Sequence, residues 1–149
     1  MSKKALESLH RINYLTAEID ALYHQASLKL GLSDSAMRTL YTIYDQGSKG
    51  EECLLSDIYK QSGIQKQTVN SAIRRLESEG ICYLAPNDGR GKKVCLTEKG
   101  KAYIQETAAR LYAMECRAFA SWTDEEIDTH IRLMEKYAGS FREQLQQLR

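Results

Sequence analysis

Apolar residues recur at helical intervals along most of this chain, beginning at its first residues. The spacing over the first thirty residues predicts one long helix that Gly31 ends. A second helix is predicted to begin near Ser33 or Ser35, either of which can cap it, and to stop before Gly47. The apolar positions are Leu6, Leu9, Ile12, Ile19, Leu22, Tyr23, Ala26 and Leu30 in the first helix, and Met37, Leu40, Ile43 and Tyr44 in the second.

Two shorter helices are predicted in the middle of the chain. Residues 54–61 form the first, and Ser62 and Gly63 close it. The next helix carries a narrow apolar stripe, and at about 100° per residue its polar side chains point the opposite way. The stripe consists of Val69, Ala72, Ile73 and Leu76, and the polar face consists of Gln67, Asn70, Ser71 and Arg74.

A hairpin is predicted after Gly80, which ends that helix. ICYLA at 81–85 and KVCLT at 93–97 have the composition of strands, and NDGRG between them has that of a turn. A loop that cradles phosphate needs its glycines between a strand and the N-terminus of a helix. Here the loop returns into a strand, so nucleotide binding is not predicted.

The end of the chain predicts an exposed apolar helix. Thr123 and Glu126 have the spacing of a capping box, which indicates that a helix begins there. Together with the first helix, the terminal helices carry more apolar surface than a domain of this size covers, so a partner subunit is expected. The apolar positions are Ile104, Ala108, Leu111, Ala118 and Phe119 in one predicted helix, and Ile127, Ile131, Met134, Ala138, Phe141, Leu145 and Leu148 in the next.

Charge is unevenly distributed over the 149 residues, although the net charge is only +1. Residues 60–101 contain nine Lys or Arg against four Asp or Glu, which favours a polyanionic partner for that part of the molecule. The chain has no apolar run near the eighteen residues of a membrane span and no signal-peptide pattern at its start. A cytoplasmic protein without a membrane segment is therefore expected.

The four cysteines, at 53, 82, 95 and 116, form no CxxC pair and are interpreted as free thiols. Cys82 and Cys95 lie on the two predicted strands as potential neighbours, with an inert buried thiol favoured for both.

Neither a metal site nor an enzyme active site is predicted. His10, His24 and His130 are far apart in sequence and form no HxxxH pattern. The chain also shows no nucleophile with its base, no recognisable pair of catalytic carboxylates and no cofactor loop.

Helix, turn, polar-faced helix and basic hairpin follow one another as in a winged helix-turn-helix. Residues 55–100 resemble the DNA-binding core of the MarR family of bacterial transcriptional regulators. The resemblance is carried by the run TVNSAIRRLESEGI, by Asp88 and Arg90 as the D-x-R of the wing motif, and by the closing LTEKG. The family pattern continues with an aspartate and a later arginine, where this chain has Gly91 and Lys93.

The resemblance covers nearly the whole chain and implies its organisation. It implies a mainly α fold with a small β-hairpin wing, in a single domain of residues 1–149. The winged helix-turn-helix core is expected at about 33–97, with N- and C-terminal dimerisation helices at about 4–30 and 98–147.

Side chains suited to DNA occupy the polar helix face and the hairpin. Asn70 or Gln67 can pair with adenine and Arg74 with guanine in the major groove, whereas Arg90 at the hairpin tip suits a narrow minor groove. The predicted DNA-binding residues are Lys66, Gln67, Thr68, Asn70, Ser71, Arg74, Arg90, Lys92 and Lys93.

These observations predict a sequence-specific regulator of transcription, most simply a homodimeric repressor on a pseudopalindromic operator with half-sites about 10 base pairs apart. The resemblance implies release by a small aromatic or anionic effector. A winged-helix protein-interaction module and a thiol-redox regulator of the same fold are the alternatives. Aromatic candidates for an effector pocket, each also explained by ordinary packing, are Tyr14, Tyr23, Tyr41, Tyr44, Tyr112 and Trp122.

Overall fold

A computed structural model describes residues 1–48, 50, 52–89 and 91–149. The chain is mainly helical with one antiparallel hairpin, which confirms the predicted fold class. It divides into two compact units, Met1–Tyr112 and Ala113–Arg149. In chain order the elements are α1 (Lys3–Lys29), α2 (Asp34–Ser48), α3 (Leu55–Gln61), α4 (Lys66–Ser78), β1 (Cys82–Pro86), β2 (Lys92–Leu96), α5 (Glu98–Glu106), α6 (Ala108–Phe119) and α7 (Asp124–Gln146).

The core of the first unit lies where α2, α3 and α4 meet. Leu40 of α2, Ile58 of α3 and Val69 of α4 are completely buried there. The apolar stripe predicted for α4 is confirmed, since all four of its residues are buried. Amphipathic spacing therefore fixes which face of α4 packs inward and which face meets solvent.

The hairpin pairs Cys82 with Leu96 at one end and Pro86 with Lys92 at the other. Both strands lie one residue away from their predicted positions. The buried side chain of Val94 and the buried thiol of Cys82 belong to the same face of the hairpin, because directly opposed residues in an antiparallel pair point the same way. The Val94 amide also donates to the Cys53 carbonyl at 2.8 Å, which attaches the segment before α3 to β2.

Helix α2 is longer than predicted. The Ser33 hydroxyl caps it by accepting from the Ala36 amide at 3.2 Å, in agreement with one of the two predicted caps. The prediction that the helix stops before Gly47 is wrong, because the helix continues to Ser48. The left-handed residue after the helix is Gly50, with φ of 73°, and this is the conformation that glycine adopts most easily.

The single helix predicted across residues 104–119 is also wrong, because it is broken between α5 and α6 at Thr107. The Thr107 hydroxyl donates to the Tyr103 carbonyl at 2.8 Å, the acceptor that its own amide would use in a continuous α-helix. That amide donates instead to the Ile104 carbonyl at 3.3 Å. At the break, the Thr107 hydroxyl therefore takes the carbonyl that the Thr107 amide would use in a continuous helix.

Helix α5 begins directly against the end of α4. The Thr97 hydroxyl donates to the Gly80 carbonyl and accepts from the Gly100 amide at 2.9 Å. The Lys99 ammonium donates to the Glu79 carbonyl at 2.7 Å. The Cβ of any other residue at position 100 would lie 1.8 Å from the Ile81 carbonyl oxygen. The LTEKG segment thus forms a close joint that holds the end of α4 and the start of the hairpin.

The second unit contains α7, whose predicted capping box is confirmed. The Thr123 hydroxyl accepts from the Glu126 amide at 3.1 Å, and the Glu126 carboxylate accepts from the Thr123 amide at 2.9 Å. Every residue of α7 is described and none is buried. Its exposed large apolar residues are Ile131, Leu133, Met134, Tyr137, Phe141 and Leu145.

Helix α1 likewise presents apolar side chains to solvent, and of its fully described residues only Ser27 is buried. Leu6, Leu9, Ile12, Leu15, Ile19, Leu22 and Tyr23 are all exposed. Within the described ranges, every helix falls short of the length and apolarity that a bilayer crossing requires.

Candidate nucleic-acid interface

The solvent face of α4 carries three of the predicted base-reading residues. Gln67, Ser71 and Arg74 are all exposed, opposite the buried stripe. The Ser71 hydroxyl donates to the Gln67 carbonyl at 3.0 Å, and Arg74 Nε donates to the Asn70 carbonyl at 3.4 Å. Since a guanidinium has five N–H donors, the Arg74 contact leaves four for a partner. This face can donate and accept hydrogen bonds along one side of a helix.

Asn70 differs from the other residues of that face because it is half-buried. The Tyr59 hydroxyl, from α3, donates to Asn70 Oδ1. The Asn70 amide is therefore held by a neighbouring helix. Tyr59 is not among the residues predicted for the interface, since a contact across eleven residues and a turn leaves no local signal.

The first turn of α4 holds two more of the predicted DNA-binding residues. Lys66 and Thr68 are both exposed. The Lys66 ammonium lies 5.2 Å from the centre of the Tyr59 ring, within the range of a cation–π interaction. The ammonium therefore stays beside the α4 N-terminus, where backbone amides and the helix dipole also attract anions.

The hairpin supplies the remaining predicted cations. Lys92 is exposed, whereas the Lys93 ammonium lies 3.2 Å from the Glu52 carboxylate. The hydrogen bond to Glu52, helped by that negative charge, raises the pKa of Lys93. At the position where the family pattern has an arginine, this chain thus has a lysine that ties β2 to the segment before α3.

The tip of the hairpin bends as the glycines predict. Gly89 and Gly91 have φ of 76° and 69°, and the Asn87 amide donates to the Gly91 carbonyl at 3.3 Å. Arg90 lies outside the described residues, so its predicted contact with the minor groove remains a prediction.

Two of the four thiols are unsuited to redox sensing. Burial, helped by the negative charge of Asp57, raises the pKa of Cys53 to about 12. Burial, followed by the charges of Glu77 and Cys95, raises the pKa of Cys82 to about 11. Cys82 is paired with Leu96, so the neighbouring Cys95 points to the other face of the hairpin. Geometry therefore disfavours a Cys82–Cys95 disulfide.

We expect thiol reagents to distinguish these cysteines. At pH 7 to 8, iodoacetamide should label the exposed Cys116 while Cys53 and Cys82 remain protonated and buried. In the folded protein the pKa values of Cys53 and Cys82 both exceed the ordinary value of 9.0. The stability that depends on keeping these two thiols protonated is therefore complete below pH 9 and is lost as pH rises through about 11 to 12.

Mass spectrometry of peptides labelled with and without urea measures the difference directly. Labelling of Cys82 in the folded protein at the rate of Cys116 would contradict the buried, protonated state and would revive the thiol-redox alternative.

The second unit has an open surface cavity of about 760 Å³ beside Trp122. Trp122 packs edge-on against Phe119 at 4.8 Å and against His130 at 5.4 Å between ring centres. Glu125 and Glu126 line the cavity and disfavour an anionic ligand there. In the part of the chain that the structure describes, no three His, Cys, Asp or Glu residues cluster as metal ligands.

Residues 30–91 match the family model described as MarR family. This match covers α2, α3, α4 and the hairpin up to its tip, the segment that contains the polar face of α4. No curated protein matches the chain.

Several solved structures share the fold over most of the chain. A MarR family regulator from Neisseria meningitidis, NMB1585, has a TM-score of 0.75 at 20% identity and covers 98% of this chain and 99% of its own. The Staphylococcus aureus MepR–DNA complex has a TM-score of 0.71 at 21% identity, covering 87% and 95%. Bordetella bronchiseptica BpsR, described with regulation of its DNA binding by 6-hydroxynicotinic acid, has a TM-score of 0.63 at 22% identity, covering 87% and 91%.

Proposed function

We propose that this winged-helix chain, whose residues 30–91 match the MarR family model, is a sequence-specific transcriptional regulator that acts as a homodimeric repressor. The observation that carries this proposal is the exposed polar face of α4, formed by Gln67, Ser71 and Arg74. A helix about 10 to 12 Å wide fits the major groove, which is about 12 Å wide. Phosphates then lie close to Lys66, Thr68 and Lys92.

The exposed apolar faces of α1 and α7 support a homodimer. Side chains such as Ile12 and Ile19 are more than half exposed in the single chain, and a second copy would bury them. A twofold dimer presents two copies of α4, so the operator is expected to be pseudopalindromic with half-sites about 10 base pairs apart. The similarity to MepR, whose structure is a DNA complex, is consistent with this arrangement.

A small aromatic or anionic effector is proposed to release the repressor from DNA. Tyr41 and Tyr44 of α2 pack against Tyr112 of α6, with ring centres 5.9 and 5.5 Å apart. Half-buried phenol rings of this kind can stack on an aromatic ligand and donate to its carboxylate. An effector releases DNA only if it binds the DNA-incompatible state more tightly. The regulation of BpsR by 6-hydroxynicotinic acid is the precedent in a similar structure.

Replacement of Arg74 by alanine is expected to weaken binding to a selected duplex about tenfold or more, because a bidentate contact with guanine is lost. The matched control is Arg75→Ala, which removes the same charge from the adjacent residue. Arg75 points to a different side of α4 and pairs with Glu79 at 3.2 Å. Fluorescence anisotropy, titrated with salt, gives both the affinity and the number of phosphate contacts.

The same titration tests the proposed function as a whole. A DNA regulator loses affinity steeply as salt rises, and Arg74→Ala then differs from Arg75→Ala at every salt concentration. Absence of binding to any selected genomic duplex at low salt would overturn the proposal and favour the protein-interaction module. Equal affinities of the two variants would remove Arg74 from the interface.

A further inference from the structure

Tyr59 of α3 contacts two side chains of α4 at once. Its hydroxyl donates to Asn70 Oδ1, and its ring lies beneath the Lys66 ammonium. The ring also packs against the hydrophobic core of the first unit. The position of the hydroxyl is therefore set by the body of the domain, and the bond passes that position on to Asn70.

An asparagine amide can read adenine with both of its polar atoms, or guanine with its Nδ2 amine alone. To pair bidentately with adenine, Oδ1 must accept from N6 while Nδ2 donates to N7. Oδ1 of Asn70 already accepts from Tyr59, and the side chain is half-buried, so its rotation is restricted. Oδ1 keeps a second lone pair, but the bond to Tyr59 directs this oxygen towards α3, so the Nδ2 amine, a pure donor, is the group left for a base edge. A pure donor suits guanine, whose N7 and O6 are neighbouring acceptors in the major groove.

We propose that Tyr59 is a positioning residue that determines specificity by fixing Asn70 as a donor directed at guanine. This inference rests on the DNA-binding function proposed above. Tyr59 touches no base in this arrangement and acts entirely through Asn70. Removal of its hydroxyl frees Oδ1 and allows Asn70 to pair bidentately with adenine.

The test is selection from a random duplex library, with sequencing of the bound fraction, for four proteins. These are the unmodified chain, Asn70→Ala, Tyr59→Phe and the double variant. The position that loses its preference in Asn70→Ala is the one that Asn70 reads. We expect guanine there for the unmodified chain and a shift of about tenfold towards adenine for Tyr59→Phe. In the Asn70→Ala background, Tyr59→Phe should change nothing at that position.

Two controls separate specificity from folding. Tyr103→Phe removes the hydroxyl of another half-buried tyrosine, one that packs against the same hydrophobic core, and should leave the base preference unchanged. Tyr59→Phe keeps the ring beneath Lys66, so the salt dependence of its DNA binding should match that of the unmodified chain. A loss of stability alone changes the fraction of active protein and leaves the preferred base unaltered.

The outcomes distinguish this inference from the function on which it rests. An unchanged preference in Tyr59→Phe, or an adenine preference in the unmodified chain, would overturn the role of Tyr59 while DNA binding stands. Full retention of every base preference in Asn70→Ala would overturn it too. If the unmodified chain binds no duplex at low salt, the proposed function itself fails.

Discussion

Replacing Gly100 by alanine is expected to lower the free energy of unfolding by about 3 kcal/mol or more. The new Cβ would lie 1.8 Å from the Ile81 carbonyl oxygen, about half of an ordinary contact distance. Alanine favours a helix over glycine by about 1 kcal/mol, but that gain cannot offset a clash with backbone. Helix α5 must therefore move away from Ile81 and strain the Thr97 contacts with Gly80 and the Gly100 amide.

Urea unfolding followed by circular dichroism measures this effect. The matched control is Gly47→Ala, because Gly47 also lies in a helix of the first unit, and a Cβ there meets no atom within 4 Å among the described residues. Gly47→Ala should be neutral or should stabilise the protein by up to about 1 kcal/mol. Equal stabilities of the two variants would show that α5 adjusts freely against Ile81.

The sequence predicted the parts of this fold that local chemistry determines. The stripe of Val69, Ala72, Ile73 and Leu76 defined both the buried and the solvent face of α4, because burial follows helical periodicity. The α7 capping box could also be predicted, because its two residues lie three positions apart in sequence and bond to each other. Glycines at 89 and 91 located the bend of the hairpin.

Errors arose where two local signals were equivalent or where a contact interrupted a continuous pattern. Gly47 and Gly50 are both plausible ends for α2, and only the left-handed φ of Gly50 distinguishes them. The apolar spacing through Ile104, Ala108 and Leu111 continues across Thr107 without a glycine or proline. The bond from the Thr107 hydroxyl to the Tyr103 carbonyl does not alter that spacing, so the spacing could not predict the break.

The candidate site was predictable residue by residue but not as a set of contacts. Gln67, Ser71 and Arg74 are exposed as the period of the helix requires. Two other predicted DNA-binding residues are held by side chains outside their own elements: Asn70 by Tyr59 of α3, and Lys93 by Glu52 before α3. Pairings of this kind depend on how α3 and β2 pack, which a single sequence does not specify.

Replacing Ile19 by glutamate is expected to dissociate the proposed homodimer. Ile19 is 53% exposed in the single chain and follows Ile12, 55% exposed, two helical turns later on the same side of α1. A carboxylate there costs the isolated chain little, but a partner subunit would bury it without a counter-charge, at a cost of a few kcal/mol. Twofold symmetry applies this cost twice, so the dissociation constant should rise about 1,000-fold or more.

Sedimentation velocity across a dilution series measures the change, with Ala21→Glu as the matched control. Ala21 lies two residues away on the opposite side of α1 and is also exposed, so its glutamate should leave the dimer intact. Because one subunit engages only one half-site, Ile19→Glu should also lose most of its affinity for a pseudopalindromic duplex while retaining its helical circular dichroism. A fully dimeric Ile19→Glu protein would exclude this face of α1 from the interface and leave α7 as the remaining exposed apolar helix for dimerisation.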